Sequence, residues 1–303
     1  FDPEWNPVNR IYDFLDMEET ALAEKLALET IKTNPASESA SQAAAMAFIA
    51  SGKHEKALPI LEVLSFSESK DVNLLRILAD CYDKTGDASS SLKVRRVIVD
   101  HFDSSADLLD FAESAIQCGM AEEAQKAAQK VLGNDPLDSL ALTKIARSLA
   151  LQGQKIEAEE YFQKALDAGV ARPHVWVTYA DFLFGQKEYQ KAIESLRKGL
   201  IVLPDDISIR RKLAEILMES GSAAEALPYL NELAAETNDV QLEILRVEAM
   251  KILGLTEYKD LIEELHQKFP ENLEVTQEHA AELIKEGRHE EAIEAIRKAA
   301  EAS

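Results

Sequence analysis

Residues Trp176–Pro204 read WVTYADFLFGQKEYQKAIESLRKGLIVLP, and their spacing decides the fold. Trp176, Tyr179, Ala180 and Leu183 return to one side of a helix at 3.6 residues per turn. After the polar turn at Gln186 and Lys187, Ala192 and Leu196 mark a second amphipathic helix, and Pro204 closes it. The segment therefore reads as a helical hairpin that buries one stripe of each arm.

Outward from this hairpin the same phrase recurs, as ASGKHEKAL, KTGDASSSL, QCGMAEEAQ, LQGQKIEAE, MESGSAAEAL and KEGRHEEAI. The turn position is occupied by Glu18, Gly52, Gly86, Gly119, Gly153, Lys187, Gly221, Gly254 and Gly287, at intervals of 33 or 34 residues. Glycine suits a left-handed cap at the end of a helix. Seven positions before the turn stand Ala45, Ala79, Ala112, Ala146, Ala180, Ala214 and Ala280. Five positions after it stand Ala57, Ser91, Ala124, Ala158, Ala192, Ala226 and Ala292. Small residues facing each other across a hairpin let two helices approach closely. Pro59 and Pro228 fall in the early turns of second helices, where a proline bends the helix slightly.

On these residues the chain resembles the tetratricopeptide repeat family. In the hairpin quoted above, Trp176, Tyr179, Ala180, Leu183, Ala192, Leu196 and Pro204 fall on the family's signature positions, with Gly199 replacing the usual last alanine. The resemblance implies an all-α fold, an α-solenoid of nine helix–turn–helix repeats wound into a right-handed superhelix. One array over 1–303 is expected, with repeats near 6–39, 40–73, 74–106, 107–140, 141–174, 175–208, 209–241, 242–274 and 275–303. Two repeats depart from the pattern. The first carries Pro7 and Arg10 at usually apolar places, as an N-terminal cap would. The eighth lacks the alanine of its second helix, and Tyr258, Leu261, Ile262, Leu265 and Phe269 are displaced by about two places.

Composition narrows the function. Among 303 residues, 55 Asp+Glu against 33 Lys+Arg give a net charge of −22, which repels nucleic acid. No run of 18 apolar residues exists, so no membrane-inserted helix is expected. Cys81 and Cys118 are the only cysteines, too few for a disulfide framework or a cysteine-built zinc site. The chain opens on Phe1 rather than Met, as a processed or excised piece would. The cytoplasm is favoured over the periplasm or another envelope location.

Chemistry-bearing motifs are missing. There is no phosphate-binding glycine loop, no G-x-S-x-G turn and no H-E-x-x-H pair. His54 and His289 follow turn glycines by two places and read as exposed turn residues. Cys81 reads as a packing residue on a first helix, with no neighbouring base in sequence to activate it. The expectation is a protein with no catalytic residues, no cofactor and no metal.

The remaining information lies on the first helices, which in this family line the concave side. The positions ten, six and three before each turn share one stripe. Six before stand Asp80, Glu113, Asp181, Glu215 and Glu248; three before stand Ile116, Phe184 and Met218; ten before stand Arg76 and Arg211. A plainer account has the acids following the overall composition and the apolar residues completing the packing. The functional account makes Asp80, Glu113, Ile116, Asp181, Phe184, Arg211, Glu215, Met218 and Glu248 a groove for a protein or peptide, basic and partly apolar. Glu113, Asp181, Phe184, Glu215 and Met218 form its centre. A basic clamp for an acidic peptide terminus does not fit, because Arg76, Arg147 and Arg211 are isolated among acids. The expected function is a non-catalytic interaction scaffold. The alternative is the repeat arm of a larger protein, such as a glycosyltransferase, a protein-export component or a cell-envelope assembly component.

Overall fold

The structure is a computed structural model that describes residues 6–65, 71–168 and 172–302. Among them are eighteen α-helices and no strand. They pair as α1 (Pro7–Asp16) with α2 (Thr20–Thr33), α3 (Glu38–Ala50) with α4 (His54–Ser65), and α5 (Val72–Lys84) with α6 (Ala88–His101). Next come α7 (Ser105–Gln117) with α8 (Ala121–Asn134) and α9 (Ser139–Leu151) with α10 (Lys155–Asp167). The last four pairs are α11 (Pro173–Gly185) and α12 (Tyr189–Val202), α13 (Ile207–Glu219) and α14 (Ala223–Glu236), α15 (Val240–Ile252) and α16 (Tyr258–Lys268), α17 (Leu273–Lys285) and α18 (His289–Ala302). The chain divides into two compact units, Phe1–Ala165 and Leu166–Ser303.

Every turn is built alike. Glu18 and Lys187 have φ of 60° and 64°, and the seven turn glycines have φ between 70° and 81°. With that residue left-handed, the next backbone N–H reaches back over the helix end. Asp87 N donates to Tyr82 O at 2.9 Å, Met120 N to Ala115 O at 2.7 Å, and Glu188 N to Leu183 O at 2.9 Å. These bonds satisfy carbonyls that the helix end leaves without partners.

Seven of the nine first helices start on a side-chain cap that satisfies an orphan amide, and α7 and α11 start without one. Ser37 accepts from Ala40 N, Asp138 from Ala141 N, Asp206 from Ile209 N and Asn272 from Val275 N. From the second repeat on, each first helix begins two residues ahead of the boundary that the period suggested. The same offset holds at α7 and α11, which lack a side-chain cap, so the start follows the repeat.

The small residues occupy the centre of each hairpin. Ala45, Ala79, Ala112, Ala146, Ala180 and Ala214 are fully buried, as are Ala57, Ser91, Ala124, Ala158, Ala192 and Ala226. Within the N-terminal unit each helix from α1 to α8 packs on its successor, and α1 also touches α3 and α7 touches α9. Within the C-terminal unit α11 to α18 pack successively, and α11, α13 and α15 meet as neighbouring first helices. Gly199 has a steric cause: a Cβ there would lie 3.0 Å from Trp176 Cγ and 3.3 Å from Ile209 Cδ1. The indole fills the space that an alanine methyl would take. In the eighth repeat α16 starts four residues after Gly254, not two as in the other repeats, and is only eleven residues long. Leu261, Ile262 and Leu265 are nonetheless buried, against Val247 and Val275.

Candidate polypeptide-binding face

In the N-terminal unit the acids of the first-helix stripe are held by cations of the same fold. Arg95, on α6, occupies a core position and is 7 % exposed. Its guanidinium donates to Asp80 at 2.7 Å and Asp83 at 2.8 Å, and lies 3.3 Å from Asp110. Arg76 donates in bidentate fashion to the buried Asp107 of α7, at 2.8 and 2.7 Å. Glu113 accepts from both Lys144 and Arg147 of α9. Burial opposes its charge, but Arg147 and Lys144 overcome that penalty and bring the Glu113 carboxyl down to about 2. Ile116 is 7 % exposed and belongs to the core. Of the three candidate residues here, Asp80 and Glu113 are therefore engaged within the fold, and Ile116 has almost no surface to offer.

The C-terminal unit is arranged differently. Asp181 and Phe184 of α11, Glu215 and Met218 of α13 and Glu248 of α15 line one concavity of about 450 Å³. Lys212, Ile216, Glu219 and Leu245 complete its walls. These residues come from three successive first helices, and spacings of three and four place each set on one face. Lys212 is its only cation, 3.1 Å from Asp181 and 2.9 Å from Glu215. Burial works to lower the Lys212 pKa, but hydrogen bonds to Glu215 and Asp181 outweigh it and raise the value. Glu219 and Glu248 are exposed and have no ion pair among the described residues. Four carboxylates thus face one ammonium. Phe184 is half-buried, its ring edge-on to Tyr189 at 5.3 Å.

A second, shallower concavity of about 640 Å³ shares Lys212 and Glu215 and runs toward Val177, Ile207 and Arg211. Arg211 is held by Asp239 at 2.6 Å. That contact keeps the Asp239 carboxyl below the usual carboxylate range.

Two histidine features escaped the sequence. His54 is half-buried rather than an exposed turn residue, with Nδ1 4.0 Å from Cys81 Sγ. Burial, helped by Asp80, nevertheless pushes the Cys81 thiol up to about 11, so at neutral pH it is no nucleophile. His266 and His279 stack with ring centroids 4.4 Å apart. Burial lowers both values, and the neighbouring ring lowers His266 further. They stand thirteen positions apart, His266 on the displaced α16 and His279 on α17, which hides the pair. No group of three or more potential metal ligands occurs among the described residues. None of the described helices is long and apolar enough to cross a membrane.

Family models for the tetratricopeptide repeat match residues 109–173, 183–250 and 278–303, together just over half of the chain. Mouse (Mus musculus) tetratricopeptide repeat protein 21A is 28 % identical over 117 residues, 39 % of this chain and 9 % of that protein. This chain thus spans only a small part of that relative's length. A tetratricopeptide repeat protein from Parabacteroides merdae superposes with a TM-score of 0.64 at 16 % identity, covering 80 % of this chain and 97 % of that one. PilW, a type IV pilus biogenesis factor, superposes with a TM-score of 0.52 at 18 % identity, covering 67 % and 96 %. At these identities the superpositions speak for the fold, and they agree with the nine left-handed turns and with the family models. The chain belongs to the tetratricopeptide repeat family.

Proposed function

We propose that the first-helix face of the C-terminal unit binds a polypeptide segment carrying Lys or Arg beside apolar side chains, and that the protein has no catalytic step of its own. Tetratricopeptide repeats are protein–protein interaction scaffolds and generally non-catalytic, so the reading concerns which partner and where. The observation that carries it is the concavity in which four carboxylates surround one ammonium between apolar walls. Glu219 and Glu248, lacking internal partners, are the groups a ligand cation would meet first. Phe184, Met218 and Leu245 supply the apolar contact. Carboxylates at such a rim set orientation and association rate, while desolvated apolar contacts hold the complex.

The test is a pool of fluorescent dodecapeptides randomised over Lys, Arg, Leu, Phe, Asp, Glu and Ser, selected on the chain. Peptides pairing a basic residue with an apolar one should be enriched. A Glu219→Lys/Glu248→Lys variant should lose that enrichment, and raising salt should weaken what remains. Enrichment of acidic peptides, or an enriched pool that ignores the double substitution, would refute the reading. A second reading makes the same face the binding arm of a larger protein. It is favoured by the mouse relative, in which the matched segment is a small fraction of the whole.

A further inference from the structure

Two columns of the repeat meet where one hairpin packs on the next. In every repeat but the eighth, the residue twelve positions after the turn is small or apolar and buried, as at Leu64, Ile98 and Leu233. Eight positions before the turn the first helices carry a second buried column, as at Leu78, Phe111 and Leu213, with Arg10 and Arg246 as exceptions. Leu64 and Leu78 lie in one core cluster, so the columns face each other across the seam between repeats. Between the eighth and ninth repeats both places are histidine, His266 on α16 and His279 on α17. Their rings stack with centroids 4.4 Å apart and planes 20° from parallel. A leucine pair would hold these helices together at any pH, whereas an imidazole pair does so only while neutral.

The two rings differ in how they meet a proton. His266 Nδ1 lies 3.3 Å from Thr276 Oγ1, whose hydroxyl is 3.4 Å from Pro270 O. A protonated His266 can therefore donate to Thr276 while Thr276 donates to Pro270. His279 has no such outlet, because its Nδ1 is buried without a hydrogen-bond partner among the described residues. With its proton on Nε2, neutral His279 leaves only a lone pair there; an imidazolium would bury an N–H with no acceptor. It would also set two positive charges 4.4 Å apart. Burial works against the charge on both rings, and the His279 ring is the charged neighbour acting on His266. Glu263 of α16, Glu286 of the last turn and Glu291 of α18 favour a proton on His279, and Arg288 opposes it. Parting the seam would remove the burial and leave those carboxylates to hold the charge. We propose that the seam between the eighth and ninth repeats is a proton switch, closed while His266 and His279 are neutral and open when both are protonated. α16 is the element that gives way, being the shortest second helix and held by Leu261, Ile262 and Leu265. Both histidines lie below the ordinary 6.5 in the closed seam. The stability of the seam is therefore complete above that pH and is lost as pH falls below it.

Hydrogen exchange of the 303-residue chain, read by mass spectrometry from about pH 7.5 to about pH 5 and corrected for the intrinsic effect of pH, tests this. Over that range histidines titrate while ordinary carboxylates stay ionised. Protection of peptides from α16 and α17 should fall at least about tenfold, while that of α7 to α9 should hold within about twofold. His266→Leu/His279→Leu restores the apolar pair and should keep α16 and α17 protected at both ends of the range. Histidine NMR titration of the parent chain gives a reading that needs no variant. Both rings should have midpoints below 6.5, and amide resonances of α16 should change together with His279. Undiminished protection of α16 and α17 at the acid end, an ordinary midpoint for both rings, or a double variant that opens as readily as the parent overturns the proposal.

Discussion

Lys187→Gly should stabilise this protein, and the structure allows the size of the effect to be worked out. Lys187 sits at φ 64°, where a side chain crowds the following carbonyl, at a cost of about 1–2 kcal/mol. Glycine removes that cost but gives the unfolded chain more freedom, which offsets about 0.4–1 kcal/mol. No contact is sacrificed, since Lys187 is exposed and has no ion pair among the described residues. The turn bonds, Lys187 N to Phe184 O at 2.8 Å and Glu188 N to Leu183 O at 2.9 Å, are made by backbone and survive. The net gain is about 0.5–1 kcal/mol, or a rise of roughly 0.2–0.5 M in urea midpoint at the slopes usual for small domains. The reverse change, Gly153→Ala at φ 79°, should lower the midpoint by a similar amount. Urea unfolding followed at 222 nm reads both. A midpoint for Lys187→Gly at or below that of the parent would refute the idea that left-handed strain at the sixth turn is an unrelieved cost.

Four further outcomes follow from the packing and the charges. Glu113→Gln should cost about 2–3 kcal/mol at pH 7, because Lys144 is left largely buried without its partner. A carboxyl brought from 4.5 to about 2 contributes its full stability above pH 4.5 and loses it as pH falls toward 2, so acid urea titrations of parent and variant should converge over that window. Lys212→Met should tighten binding of a basic, apolar peptide by about twofold to fivefold at low salt, as expected when one rim charge is worth up to about 1 kcal/mol; weaker binding would mean that Lys212 itself contacts the ligand. Gly199→Ala should destabilise by about 1 kcal/mol, the clash with Trp176 exceeding the gain in helix propensity, and a stabilised variant would show that the indole can shift. Ala180→Leu, at a fully buried hairpin contact, should cost about 1–3 kcal/mol in the same unfolding assay.

Much of the fold is legible because each repeat writes its turn in one residue and its closest helix contact in two more. Glu18 and Lys187 could be assigned to left-handed turns without being glycine, since the period put them there. What the period does not convey is which starts are capped, because Asp138 and Asn272 cap by a hydrogen bond that spacing does not show, while α7 starts at the same offset without one. The site was half legible. Reading each stripe position down the chain produces a column of acids, and it conceals that Glu113 and Arg147 stand one period apart, on α7 and α9. Neighbouring residues in that column lie on neighbouring first helices, so Arg147, isolated among acids along the chain, is a cation that holds Glu113. Arg95 carried a stronger sign. Nine positions after the turn the other residues of the first seven repeats are Ala, Leu or Phe, so an arginine there is placed in the core, and a buried guanidinium has to collect carboxylates.

The difference between the two faces bears on what each is for. A cation reaching from one first helix to a carboxylate on the next, as Arg76 does to Asp107 and Arg147 to Glu113, fixes the register of adjoining repeats. Such a face sets four cations against five carboxylates and is already occupied, so a charged ligand would have to displace an internal partner. Asp181, Glu215, Glu219 and Glu248 face one ammonium, and their mutual repulsion lowers the stability of the fold. Surface acids serving only solubility could sit anywhere on the outer helices, well separated. Gathering four of them in one concavity beside Phe184 and Met218 concentrates the negative potential where apolar surface is also available. That combination supports the proposal of a ligand that brings a cation beside an apolar neighbour. Stability alone would place a second lysine or arginine on this face, as it does on α9.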